Sequence, residues 1–349
     1  MQLCPMVVRI LCTIVCCSLA LIVAGCTPSP DLTVYCAHDR EFAEDILKQF
    51  EQKSGLTVAV RYDSEANKAV GLYEDLVREA ARPRCDVHWN NEILATIRLQ
   101  QQGILQPYAS PSAEPFPVRF KAKDQTWTAF AARARVLIIN TDKVKPAEMP
   151  RGLRDLTQPE WKGRIAMAKP LFGTTATQAA CVFEAWGDGE AEDFYRKLHA
   201  NEIAIVPGNK QVAVAVGAGQ YAAGLTDTDD AFAELDAGNP VAIVYPDSKA
   251  GADSKRGVLF IPNTVAMIKN CPHPEAAKKL IDYLLSSEVE SALARSKSGQ
   301  IPLNPNVKVE LPKGRLPPPD ATPLPVDFER AAEKWHASQA FLKKEFALR

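Results

Sequence analysis

The sequence has almost no excess charge: 41 lysine and arginine residues stand against 42 aspartate and glutamate residues, a formal net charge of −1. Such a balance supplies no basic field to gather a polyanion, so nucleic acid is not an expected partner. Catalytic signatures are missing as well. There is no H-E-x-x-H, no G-x-S-x-G, no P-loop and no G-x-G-x-x-G, and an enzyme is therefore not expected. His38, His88, His199, His273 and His336 are scattered without ligand spacing. Cysteine is scarce where it would matter. Cys4, Cys12, Cys16 and Cys17 lie near the amino terminus and Cys26 follows them, which leaves Cys36, Cys85, Cys181 and Cys271 without any C-x-x-C pair. An exported compartment permits disulfides, but the spacing pairs none of the four, and buried thiols fit equally well. No redox or zinc role follows.

A long membrane-spanning run is also absent. The apolar stretch from Ile10 to Val23 follows a short start carrying Arg9, and it falls short of the roughly 20 residues a spanning helix needs. Residues 1–25 therefore read as a signal peptide. The stretch ends in Val23-Ala24-Gly25-Cys26, which looks like a bacterial lipobox, with Cys26 as the lipidation site. Residues 26–31, with Pro28 and Pro30, then form a tether holding an exported protein off the envelope membrane.

From Leu32 onward, short β-rich runs alternate with amphipathic helical patterns, the signature of an α/β fold with a mostly parallel sheet. Strands are expected at Leu32–Cys36, Thr57–Tyr62 and Asp86–Trp89. Helices are expected from Phe42 toward Gly55, from Lys68 to Ala81 and from Asn91 to Gln102. Trp127 to Asn140 is a β-like run long enough to pass from one lobe into another. Helices follow at Thr174–Trp186 and Glu192–His199, with strands at Ala222–Leu225 and Val241–Tyr245. Gly257 to Ile268 is a candidate return strand, and Pro274 to Arg295 reads as one long helix. A proline-rich connector, Pro312 to Pro325, precedes a last helix.

In this order several segments resemble periplasmic binding proteins of the two-lobed, hinge-crossing type II fold, and in particular their ferric-iron-binding branch. They are Val34-Tyr35, Gly55 to Val60, Asp86-Val87, Trp127 to Val136, Trp161-Lys162-Gly163-Arg164-Ile165, Ala222 to Asp230 and Ile301-Pro302-Leu303. The resemblance implies two α/β lobes with mixed central sheets. Residues 32–130 and 257–300 would form one, 131–256 and 301–349 the other. It implies a receptor that delivers a small solute to ABC permease subunits in the cytoplasmic membrane, a task that requires no covalent chemistry; a monomer is expected. It further implies iron(III) bound with an anion between the lobes. Many members place a histidine in the first cleft loop, a glutamate after the third strand and two adjacent tyrosines after a strand of the second lobe. The aligned positions here are Asp39, Asn91, Asp229 and Asp230, so the tyrosine pair is absent.

The residues themselves leave two readings open. Asp227, Asp229 and Asp230 crowd one strand-to-helix turn; carboxylate oxygens suit hard cations, iron(III) among them, and also ammonium groups. Helix capping by Thr228 or Asp229 would explain part of the cluster. Asp39 and His38 end the first strand, and Asn91 and Glu92 end the third, beside Trp89. These are places where open α/β sheets bind ligands, and Asp39 is also a good helix cap. Gly173, Thr174 and Thr175 open a helix and can hold an anion on backbone N–H groups, with Asn209 matching a further anion contact in the resembling family. Asp39, Asp229 and Asp230 are the candidate metal ligands. The alternative solute is a small organic cation or zwitterion, such as an amine or aminophosphonate.

Overall fold

The structure is a computed structural model that describes residues 29–63, 71–251, 255–311 and 315–348. The expected signal peptide, Cys26 and the start of the helix expected from Lys68 lie outside them, as do residues 312–314 of the proline-rich connector. Among the described residues no helix is long and apolar enough to cross a membrane.

The chain begins with β1 (Leu32–Cys36), α1 (Arg40–Ser54), β2 (Val58–Tyr62), α2 (Gly71–Arg78), β3 (Val87–Asn90), α3 (Ile93–Gln101) and β4 (Leu105–Gln106). Helix α1 buries Ala43, Ile46, Leu47 and Phe50, the 3.6-residue stripe visible in the sequence, and stops where Gly55 takes φ 72° and returns its N–H to the Glu51 carbonyl. The long strand β5 (Trp127–Asn140) follows, then β6 (Ile165–Ala168), α4 (Gly173–Trp186), α5 (Asp188–Ala200), β7 (Ala204–Val206), α6 (Asn209–Gly217), β8 (Ala223–Asp227), α7 (Thr228–Asp236) and β9 (Val241–Val244). Strand β10 (Phe260–Ile268), α8 (Pro274–Leu284), α9 (Ser287–Arg295) and α10 (Phe328–Glu345) complete it. The single helix expected over Pro274–Arg295 is two. Its apolar period runs on, but Ser286 turns to φ −72°, ψ 152° and caps a new start by accepting from the Val289 N–H.

The strands lie in the order β2-β1-β3-β10-β5-β8-β6-β7, with β4 on β10 and β9 on β5. Strands β1, β2 and β3 are parallel to one another, as are β6, β7 and β8, while β10 and β5 run against them. Strand β5 belongs to both halves. Trp127 to Ala134 pair with β10, and from Arg135 onward the partners are β8 and β9. All of β5 is buried, and its alternation assigns side chains to different cores: Leu137 and Ile139 pack with Phe183 and Trp186, while Ala134, Val136 and Ile138 pack with Val212 and Val216. Beside the first half, a separate core gathers around Trp89, Phe130 and Leu280. Helix α4 lies between: Ala176 and Ala180 face that first core, and Val182 and Phe183 face the second. Cys36, Cys85, Cys181 and Cys271 are all buried.

Candidate functional site

The carboxyl ends of β1, β3, β6, β7 and β8 point toward one cavity of 320 Å³ between the two halves of the sheet. This is where an open α/β sheet leaves backbone and helix starts available to a ligand. Its lining includes Asp39, Asn91, Arg133, Gly173, Thr174, Thr175, Asn209, Asp227, Asp229 and Asp230. The sequence-derived candidates thus converge, except Glu92 and His38, which do not line it. Glu92 is 1% exposed and does not line the cavity. It caps α3, accepting from the Leu94 and Ala95 N–H groups at 2.8 Å and from the Thr177 hydroxyl at 2.7 Å. Burial raises its pKa against those bonds. Trp89 is a core residue, stacked on His38 at 5.3 Å rather than walling the cleft.

Neither Thr228 nor Asp229 is the residue before α7, although Asp229 Oδ1 accepts from the Asp230 N–H at 3.1 Å. Asp227 occupies the position before α7, yet its side chain makes no capping bond. It accepts instead from Arg135 Nη1 at 2.9 Å, from the Thr174 hydroxyl and from Asn209 Nδ2 at 3.1 Å. Asp39 stands before α1, also without a side-chain cap bond, and Phe172 precedes α4. Carboxylate oxygens of Asp227, Asp229 and Asp230 lie within 4.8 Å of one another. That spacing suits several oxygens around one hard cation.

Two residues that the motif reading passed over keep such a cluster stable. Arg133 and Arg135 are each 2% exposed. Arg135 joins the ends of three elements: besides Asp227 it donates to Asn209 Oδ1 at 3.1 Å, Thr174 Oγ1 at 3.3 Å and Gln178 Oε1 at 2.9 Å. Arg133 Nη1 lies 3.5 Å from Asp229 Oδ2. Burial opposes its charge, but Asp229, Asp227, Asp39 and Asp230 together outweigh burial and raise its pKa above the ordinary arginine value. The available signal was two arginines two residues apart inside a long apolar β run: both fall on one face, and a buried charge demands a partner.

The wall adjoining Asp227 is a helix start. Gly173 has φ 51°, a left-handed value glycine adopts without strain, and a Cβ built there meets nothing within 4 Å. The first backbone N–H groups of α4 at Gly173, Thr174 and Thr175 belong to this wall, and N–H groups there attract an anion. The Thr175 hydroxyl donates to Asn209 Oδ1 at 3.0 Å, fixing both side chains. From the other half, Asn91 Oδ1 is buried without a hydrogen-bond partner among the described residues, an acceptor open to a ligand.

Two α/β halves with a polar cavity between them offer a place to hold a small solute. The chain belongs to the bacterial extracellular solute-binding protein family, which it matches over residues 95–319. It is 24% identical over 314 residues to iron uptake protein A1 of Synechocystis sp., covering 82% of this chain and 84% of that protein. It is 26% identical over 299 residues to the major ferric iron-binding protein of Neisseria meningitidis, covering 83% and 86%. The fold superposes with a TM-score of 0.78 on iron-bound HitA from Pseudomonas aeruginosa at 24% identity, over 89% of this chain and 98% of that one. It superposes at 0.77 on AfuA from Actinobacillus pleuropneumoniae with fructose-6-phosphate bound, at 22% identity over 91% and 99%. The chain therefore has the two-lobed binding-protein fold.

Proposed function

We propose that this protein is the exported receptor of an ABC importer and that it carries iron(III), together with an anion, in the cleft. The lobes would be residues 32–130 with 257–300 and residues 131–256 with 301–349, closing on the solute as a monomer. Lipid on Cys26 would hold the receptor at the envelope membrane beside its permease subunits. The observation that carries the reading is two complementary chemistries side by side in one cavity: carboxylates of Asp227, Asp229 and Asp230 within 4.8 Å of each other, and the helix start at Gly173 to Thr175, joined to them by the Thr174–Asp227 hydrogen bond. Hard oxygen donors favour a hard cation, and Asp39 and Asn91 supply further oxygens from the other half. The relatives named for ferric iron support it.

One observation favours a second reading, a small organic cation or zwitterion: the acid cluster already accommodates a guanidinium, that of Arg133. Thermal melts of the soluble chain beginning after Cys26 separate the two. At about 100 times its dissociation constant a ligand adds roughly 2.7 kcal/mol, a shift of several degrees. Ferric citrate should produce it. A shift only with amines, polyamines or aminophosphonates would replace iron with the organic solute, and no shift with any of them would remove both.

A further inference from the structure

Arg133 touches the cleft on one side and the crossing strands on the other. Toward the cleft, Nη1 faces Asp229. Behind, Nη2 donates to Asn263 Oδ1 at 3.2 Å and lies 3.3 Å from His38 Nδ1, while Nε has no hydrogen-bond partner among the described residues. The chain of contacts continues inward. Asn263 Nδ2 donates to the Ala131 carbonyl and, at 2.6 Å, to Gln300 Oε1. His38 Nε2 lies 3.2 Å from Gln300 Nε2. Asn263 sits at the pairing irregularity of β10, and Ala131, with φ 43°, is its neighbour on β5. The residue after Gln300, Ile301, bridges to Ala132. His38, weighed from sequence as a ligand, is thus 2% exposed and stands behind the arginine.

We propose that Arg133 is a tethered cation that holds Asp229 in the empty cleft, competes with the solute's cationic centre for that carboxylate, and links its release to the strands crossing between the lobes. The inference rests on the cation-binding reading above. Its physics is direct. An arginine stays charged at every accessible pH, so a positive charge beside Asp229 subtracts from the attraction any second cation feels. When an incoming cation takes Asp229, the guanidinium loses that ion pair and keeps its His38 and Asn263 contacts. Arg133 is therefore a positioning and selectivity residue rather than a ligand.

The test compares wild type with Arg133→Met, Arg133→Lys, Asp229→Asn and the Arg133→Met/Asp229→Asn pair, using ferric citrate and spermidine as probes in calorimetry and urea curves of the empty proteins. Arg133→Met should bind the probe that wild type accepts at least tenfold more tightly, while its empty form unfolds at lower urea, because Asp229 loses its counter-ion. Arg133→Lys keeps the charge but not the fork. It should shift both quantities in the same directions, with affinity changing two- to threefold, and it stands in if Arg133→Met does not fold. In the Asp229→Asn background, loss of the arginine should change affinity less than twofold. An arginine that merely supports the fold would lower affinity and stability together. Unchanged or weaker probe binding by the arginine variants, with wild type binding normally, overturns the inference and leaves the receptor reading intact. Wild type binding neither probe overturns the cation reading itself, and the competition falls with it.

Discussion

His88 lies in the middle of β3, 2% exposed, with Nδ1 lacking a hydrogen-bond partner among the described residues, surroundings that accommodate a neutral imidazole and not a cation. Burial pushes its pKa down to about 3. The unfolded chain, with an ordinary histidine near 6.5, then binds more protons than the fold in the interval between. The stability His88 contributes is complete above about pH 6.5 and is lost as pH falls toward 3, at up to about 1.4 kcal/mol per pH unit. Burial raises Glu92 and Glu290 above their ordinary values, and their contributions run the other way, lost as pH rises through the raised values. Both remain in a His88→Leu variant, so the difference between the two proteins isolates the histidine. Urea curves between pH 4 and 6.5 should show the gap narrowing on acidification by about that slope; parallel curves would mean that His88 is solvated. At this scale the acids of the cleft were legible because strand ends and helix starts carry recognisable residue types. What Asp227 binds was not, since Arg135 is far from it in sequence and meets it only through β5–β8 pairing.

Among elements, strand β5 and helix α4 were readable nearly to the residue, because an uninterrupted apolar run or stripe has one interpretation at that length, whereas α5 begins at Asp188, ahead of the expected Glu192. Strands β4 and β7 were not, being short and stabilised by neighbours rather than by pattern. Helix α10 shows what tertiary contact adds. Its Ala331, Ala332 and Trp335 pack with the first core and its Leu342 with the second, so one helix touches both. Arg98 on α3 is sandwiched on the way, its guanidinium 4.4 Å from the Tyr73 ring centre and 4.8 Å from that of Trp335. Each cation–π contact contributes about 0.5–1 kcal/mol at exposed sites and about 2 when desolvated. Arg98→Ala should therefore cost about 2 kcal/mol by denaturation, with Trp335 fluorescence reporting a looser α10 in the native state. A change below about 0.5 kcal/mol, within the ordinary range for surface substitutions, would show that the helix docks through its apolar residues alone.

For the whole molecule, the passages of chain between the two sheets converge on one buried node. Strands β5 and β10 pair across it, and Ile301 bridges to Ala132 beside them. Glu290, at 0% exposure on α9, holds the node from below. Its Oε1 accepts from the Ala131 N–H at 2.8 Å and the Leu303 N–H at 2.9 Å, and its Oε2 accepts from the Asn304 N–H at 2.7 Å. Three donors therefore meet a group that has only acceptors when ionised. A glutamine of the same shape cannot reproduce this. With its carbonyl toward Ala131 and Leu303, its amide faces the Asn304 N–H; turned over, it loses two bonds rather than one. Leaving a buried donor unpaired costs about 1–3 kcal/mol, part of which is returned because the buried charge is gone. Glu290→Gln should accordingly lower the urea midpoint by an amount equivalent to about 1–2 kcal/mol at an unchanged denaturant slope, the sign of a weakened native state rather than an altered unfolded one. Small-angle scattering of the empty variant should in turn show a wider spread of dimensions than wild type, because the strands that connect the sheets are less firmly held. A midpoint equal to wild type would place the rigidity of the crossing in the β5–β10 ladder itself and leave Glu290 a replaceable neighbour.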